Sequence, residues 1–202
     1  MAPGPHPYQE ISLSTAGVVV GVALLVLYGL MFWKRERAKE LAKTLHRNAT
    51  VGTYFMGFGM VWFWLLVAPP GKGILSSLSM DLGDFNKIKG YLMIGVPLFC
   101  VGMIVCVKEY LFVRGLGLCL LMVAAPLLYA SDFEPAPLQF VMPTFCYLMI
   151  IKGLFLVGMP YLFRDWAEWA TANDARWRGL ILAGLAVGIL FLGLGLTVWR
   201  GY

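Results

Sequence analysis

Among the residue types that could carry chemistry, Lys152 stands apart because of where it lies. It falls within the apolar run Tyr147 to Met159, and its neighbours three and four positions away are Leu148, Met149, Phe155 and Leu156. An amine at mid-bilayer costs about 2.5–3.5 kcal/mol on insertion scales, so an ionisable residue inside a span is a candidate site by default. None of those neighbours offers a carboxylate, so any partner comes from another helix or another molecule. Three readings stay open: a structural lysine that snorkels or pairs between helices, a contact for an anion or substrate, and a salt bridge to a partner subunit. The first is the preferred reading.

The other reactive types form no constellation. Cys100, Cys106, Cys119 and Cys146 sit in apolar runs without CxxC spacing and read as buried structural thiols. His6 and His46 are the only histidines, one in the N-terminal tail and one in a basic link. No histidine pair is therefore expected to ligate a haem, and no span joins carboxylates to histidines for a metal. No acidic residue lies within a span, which removes the usual relay of proton pumps. GxSxG, P-loop and HExxH patterns are absent as well. The expectation is a non-enzyme with no cofactor, carrying bound lipid. Pro97, Pro126, Pro143 and Pro160 lie in or beside spans, where each is expected to free a carbonyl four residues back and kink its helix.

The elements that must hold these residues follow from composition. The chain has 202 residues, 60% hydrophobic and 13% charged, with a mean hydropathy of +0.77. Soluble domains run about half apolar and a quarter charged, so a water-soluble globule is excluded. Apolar runs of about twenty residues, each able to cross the hydrocarbon core as a helix, occur at Leu13 to Trp33, Ala49 to Ala68, Tyr91 to Val107, Gly115 to Ala130, Leu138 to Phe163 and Gly179 to Trp199. The runs are continuous rather than alternating, which excludes a barrel. The expected fold is a single all-α integral membrane domain, 1–202, of six transmembrane helices built as hairpins. The third and fourth spans, joined by Lys108 to Arg114, are expected to form a tight hairpin.

The net charge of +5 is a topology signal, because eleven of the sixteen basic residues fall in three links. Those links are 34–48, 108–114 and 164–178. The opposite side mixes Lys72, Lys87, Lys89 and Arg200 with Asp81, Asp84, Asp132 and Glu134. The positive-inside rule then makes the three links cytoplasmic and places both termini outside the cytoplasm. Nucleic acid is not an expected partner. Met1 to Ser12 lacks a basic n-region and reads as the start of an uncleaved anchor.

Trp33, Trp62, Trp64, Tyr91, Tyr129, Trp166, Trp169 and Trp199 mark the expected interfaces. Arg164 to Arg178 reads as a short surface helix with Trp166 and Trp169 on one face. Lys34 to Arg47 reads as a solvated continuation of the first span. In it Lys34, Arg35, Arg37, Lys39 and Lys43 are candidate contacts for lipid headgroups. Leu75, Leu78, Leu82 and Phe85 give the outer loop an amphipathic spacing. The triplet Asn48-Ala49-Thr50 abuts a span on the cytoplasmic side and is discounted as a glycosylation site.

Compared with itself, the chain is partly duplicated. Tyr91 to Met103 (YLMIGVPLFCVGM) matches Tyr147 to Met159 (YLMIIKGLFLVGM) at nine of thirteen positions without a gap. Each copy leads through a link to an Arg-Gly step, Arg114-Gly115 or Arg178-Gly179, that opens a return helix. The second and third hairpins thus read as a parallel internal repeat. Gly29 to Arg47 hints at a third copy, with the same separation as Gly158 to Arg176. Lys152 aligns with Val96. With Tyr147 at the boundary, as Tyr91 is, Lys152 lies five residues inside the outer surface, whereas counting from Phe163 puts it near mid-span. The repeat is taken as the ruler. Gly17-x-x-x-Gly21 and Gly184-x-x-x-Gly188 supply faces for close helix packing.

The C-terminal hairpin, about Leu156 to Leu196, resembles a family of very small bacterial inner-membrane hairpin proteins of uncharacterised function. The shared residues are Gly158-Met159-Pro160-Tyr161-Leu162-Phe163, Trp166, Arg178-Gly179 and Gly184. They cover about a fifth of the chain, and the spacing differs around Arg164 to Trp166. The resemblance implies a helical hairpin in a bacterial inner membrane and contributes no chemistry. Taken together, the residues point to an auxiliary or structural subunit that packs against lipid and against other membrane subunits or further copies of itself. The alternative is a small transporter or channel for an anionic solute using Lys152. A membrane-embedded lipid enzyme ranks third, since no acid and base pair can be named.

Overall fold

The computed structural model describes residues 6–69, 78–106, 109–132 and 135–201. Lys72, Lys108 and Glu134 of the charge pattern, Leu75 of the outer loop and Val107, the expected end of the third span, lie outside those residues. Every regular element among the described residues is helical. They are α1 (Leu13–Trp33), α2 (Arg35–Thr44), α3 (Ala49–Val67), α4 (Lys89–Cys106), α5 (Leu111–Asp132), α6 (Val141–Gly158), α7 (Tyr161–Thr171) and α8 (Asp174–Leu196). α1, α3, α4, α5, α6 and α8 are long and apolar enough to cross a membrane, which makes the chain a multi-pass membrane protein.

Local chemistry sets the boundaries. The side chains of Ser12, Asn48 and Asn173 accept the N–H groups of Thr15 at 3.2 Å, Val51 at 3.1 Å and Ala175 at 2.8 Å. Each serves a first-turn donor that has no acceptor within its helix. Asn48 is thus a cap for α3. Lys34 leaves helical geometry at φ −104° and ψ 50°, so α2 is a separate helix and not a continuation of α1. Met159 stands at φ −129° and ψ 66° just before Pro160, whose ring disfavours helix at the preceding residue. The run expected as one span to Phe163 therefore divides into α6 and α7. α7 ends at Thr171, and Asp174 to Arg178 open α8 instead of completing the surface helix.

The prolines separate by position. Pro97 and Pro126 lie inside α4 and α5. Pro143 occupies the first turn of α6, where its missing N–H would have had no acceptor, and Pro160 is the N-cap of α7. Pro143 frees no helical carbonyl, contrary to expectation, because Gln139 precedes the helix and receives the Met142 N–H at 3.2 Å; Pro160 denies a donor only to Leu156 in the last turn of α6. The carbonyl left open by Pro97 belongs to Met93, and the Trp64 indole on α3 donates to it at 2.9 Å. A tryptophan expected as an interface marker is thereby engaged in repairing the backbone of its neighbour.

Lipid gives helices no hydrophobic reason to associate, so close approach and van der Waals contact must hold the bundle. A Cβ placed on Gly21 would stand 2.5 Å from the Leu192 nitrogen, and one on Gly17 would stand 2.8 Å from the Trp199 ring. From the opposite helix Gly184 abuts Tyr28, Gly188 abuts Leu25, and Gly195 abuts the Val18 backbone. Both GxxxG motifs therefore line one intramolecular seam, α1 against α8, which Ser14 ties further by donating to the Gly195 carbonyl at 2.8 Å. α5 is the hub of the remainder. Gly52 and Gly115 bring α3 and α5 into backbone contact, and Gly117 meets Gly153 across α5 and α6. Around the far end of the α1–α8 seam, Leu13, Met142, Cys146, Phe191 and Trp199 form a shared core. Trp199 is fully buried there and donates to the Pro137 carbonyl at 3.0 Å, so it anchors the end of α8 in the core.

α4 is the exception. Its glycines Gly90, Gly95 and Gly102 meet nothing, and it leans on α3 through Val96 against Met60. The expected tight hairpin of the third and fourth spans does not form: α4 packs on α3, whereas α5 packs on α3 and α6.

This packing fixes the expected outcome of two substitutions. Gly21→Val should lower unfolding stability in detergent titrations by about 1–3 kcal/mol, the usual cost of overpacking, while Gly29→Val, facing open space, should change it little. Trp64→Phe should cost about 1–3 kcal/mol by orphaning the Met93 carbonyl. In a Pro97→Ala background that penalty should shrink, because alanine at this position restores the backbone donor; an equal penalty in both backgrounds contradicts the pairing.

Candidate functional site

Lys152 lies on α6, the helix that Gly153 seats against Gly117 of α5. One position before that buried glycine, it points about 100° away and is exposed. Leu148, Ile151 and Phe155 around it are each at least half exposed. α6 begins six residues before Tyr147, so the tyrosine stands inside the helix and not at its first turn. At 1.5 Å per residue, Lys152 stands roughly 16 Å from Val141 and roughly 9 Å from Gly158, well inside its helix and about 4 Å past the midpoint. No hydrogen bond or ion pair to Lys152 occurs among the described residues.

The two segments of similar sequence present related surfaces but bury different faces. Tyr91, Leu98, Phe99 and Val101 on α4, and their counterparts Tyr147, Leu154, Phe155 and Val157 on α6, are all exposed. The buried contacts differ: α4 buries Val96, whereas α6 buries Gly153, which aligns one position later. That one-position rotation is why Val96 faces α3 while its aligned partner Lys152 faces outward.

Two apolar grooves flank the thin seam between α4 and α3, of roughly 340 Å³ and roughly 410 Å³. The first opens between α4 and α5 over Met60, Gly95, Phe99 and Leu118; the second runs along Val61, Pro97 and Val101. Neither is lined by Lys152 or by any other charged residue. Their shape and chemistry suit hydrocarbon chains. A third recess, at the ends of α5 and α6, is lined by Tyr129, Ser131, Gln139 and Tyr147.

At the end of the bundle that carries the basic links, α2 and α7 pack together. Of the candidate headgroup contacts, Lys34, Arg37 and Lys43 are exposed, with the Lys34 ammonium 5.8 Å from the centre of the exposed Trp33 ring. Lys39 is turned inward instead, pairing with Asp174 of α8 and Glu36 and joining α2 to α8. Arg35 lies over the Phe32 ring at 5.9 Å, with its Nε buried and unpartnered. α7 turns Ala167, Ala170 and Thr171 inward and leaves Trp166 and Trp169 exposed, with Arg176 over the Trp169 ring at 5.2 Å. His46 is buried and stacked on Tyr110.

At the opposite end, Lys89 is 5% exposed, and its ammonium donates to the Met80 carbonyl at 2.6 Å and to Ser79 at 3.3 Å. No spacing in the sequence distinguishes this sequestered amine from the solvated Lys87. Tyr8 likewise receives the Trp62 indole at 2.5 Å, and His6 meets the Leu78 carbonyl at 3.1 Å, fastening the N-terminal segment to the bundle. Of the loop with amphipathic spacing, the described part includes a 3-10 segment, Gly83–Ile88, in which Phe85 is exposed. No group of His, Cys, Asp and Glu suited to a metal occurs among the described residues. No family model, curated protein or solved structure matches the chain.

The buried imidazole makes stability depend on pH. Burial first, then the charges of Arg47 and Arg164, hold His46 below its usual value, against a smaller opposing effect of Glu168. Above about pH 6.5 the ring is neutral in both folded and unfolded chains; below it the unfolded chain binds the proton first, so stability falls with pH. Unfolding temperature in nanodiscs should drop between about pH 7 and pH 5, and His46→Gln should flatten that drop. An unaltered profile in the variant would assign the pH dependence elsewhere.

Proposed function

We propose that the chain is a non-catalytic auxiliary or structural subunit of a larger membrane complex, held in a bacterial inner membrane. The observation that carries this reading is the outward position of Lys152. An amine lining an interior path would support the anion-transport alternative, whereas an exposed amine amid Leu148, Ile151 and Phe155 suits contact with a neighbour. The apolar grooves beside α4 add support, since they offer no polar group to a solute and readily hold acyl chains.

In this proposal the basic end faces the cytoplasm, with both termini on the other side, and the segments α4 to α5 and α6 to α8 descend from one parallel repeat, although neither pair packs as a hairpin. Lys34, Arg37 and Lys43 then meet anionic headgroups, and Trp166 and Trp169 on α7 rest at the same interface.

Purification of the tagged chain from its native membrane in mild detergent tests the proposal. The expected result is a stable assembly with other membrane proteins, whose unfolding temperature does not respond to added anionic solutes. The chain alone, as monomer or homo-oligomer, with solute-dependent thermal stabilisation would contradict it and favour transport.

A further inference from the structure

We infer that the outward face of α6 docks a transmembrane helix of a different protein, one that presents a carboxylate at mid-depth to Lys152. The inference rests on the auxiliary-subunit reading and names the chemistry of the partner. Three observations lead to it. α6 has 18 residues, roughly 27 Å of helix, close to the thickness of a hydrocarbon core. Lys152 lies well inside it, about 4 Å past the midpoint, exposed, with no partner among the described residues. Cα–Cβ bonds also tilt toward a helix's N-terminus, so the lysine stem sets out toward the more distant end of α6. The apolar residues exposed around it, Leu148, Ile151 and Phe155, supply the greasy rim that excludes water from a pair.

Within the six long helices no residue answers this amine. Asp132 and Asp174 are the only acidic residues in the six long helices, and both sit at helix ends. Asp174 is already paired with Lys39. A second copy of the chain therefore brings no carboxylate to mid-depth. An Asp or Glu in a foreign span would be as costly alone as Lys152 is, and each charge offsets the desolvation of the other.

Photo-crosslinking in native membranes tests this. The photoreactive residue replaces Ile151 or Phe155 in the full-length chain, with Leu98 on α4 as a reference position. The expected product at Ile151 or Phe155 is one discrete heteromeric adduct whose cross-linked span contains Asp or Glu. Lys152→Met should reduce that adduct about thirty-fold or more, the loss typical when one member of a desolvated pair is removed. Lys152→Arg should retain it, and exchanging Lys152→Glu with a Lys in the partner's acidic position should restore it. Equal unfolding temperatures for wild type and Lys152→Met show that the loss is not misfolding. Lipid adducts alone, adducts between two copies, or a heteromeric adduct indifferent to Lys152→Met overturn the inference. If in those cases a heteromeric adduct persists at Leu98, the auxiliary-subunit reading stands; if every position yields lipid alone, both fall.

Discussion

Helix association in lipid rests on how closely two backbones can approach, and the rest of this bundle follows from that constraint. Exchanging hydrocarbon for apolar side chains gains a helix little, so contact must be dense to count. Gly21 against Leu192, Gly115 against Met56 and Gly117 against Gly153 are places where even one added carbon would strike backbone. They define the α1–α8 seam and the α3–α5–α6 core. Large side chains such as Trp199 and Phe191 then fill the space between these units. α4 lacks any such approach and lies at the margin, where one indole hydrogen bond and a narrow seam hold it beside two open grooves.

The same solvent explains the fate of the polar groups. A backbone carbonyl freed by proline needs a donor from protein, and Trp64 reaches Met93 from the adjacent helix. Lys89 is withdrawn from solvent only where carbonyl and hydroxyl oxygens of its own loop receive it. Lys39 joins α2 to the first turn of α8 through Asp174, so part of the basic sequence serves architecture and not headgroups. Lys152 has none of these solutions among the described residues. Its exposed position on α6 leaves the ammonium to be met from outside the bundle.

Much of the fold was legible in the sequence because hydropathy measures the transfer that creates the spans. α1 coincides with its apolar run, and α3 differs by one residue. The fifth run misled because Met159 and Pro160 are as apolar as their neighbours, although the restriction that proline imposes on the residue before it ends the helix there. Glycine spacing revealed that close packing was available on α1 and α8 but not that the two would find each other. Lys152 was visible as an intramembrane charge. Its facing was not, since sequence identity between the copies does not fix which face each helix buries, and one position of rotation separates Val96 from Gly153.

The claim at the centre is that Lys152 sits outside a glycine-packed bundle and not along a wet path through it. Spin labels at 148, 151, 152 and 155 of the purified, reconstituted chain, with Cys100, Cys106, Cys119 and Cys146 replaced by Ala, measure this directly through collisions with molecular oxygen and with a polar nickel chelate. The account predicts strong relaxation by oxygen and almost none by the chelate at all four positions. Chelate access that peaks at 152 would reveal water reaching the amine and would contradict it.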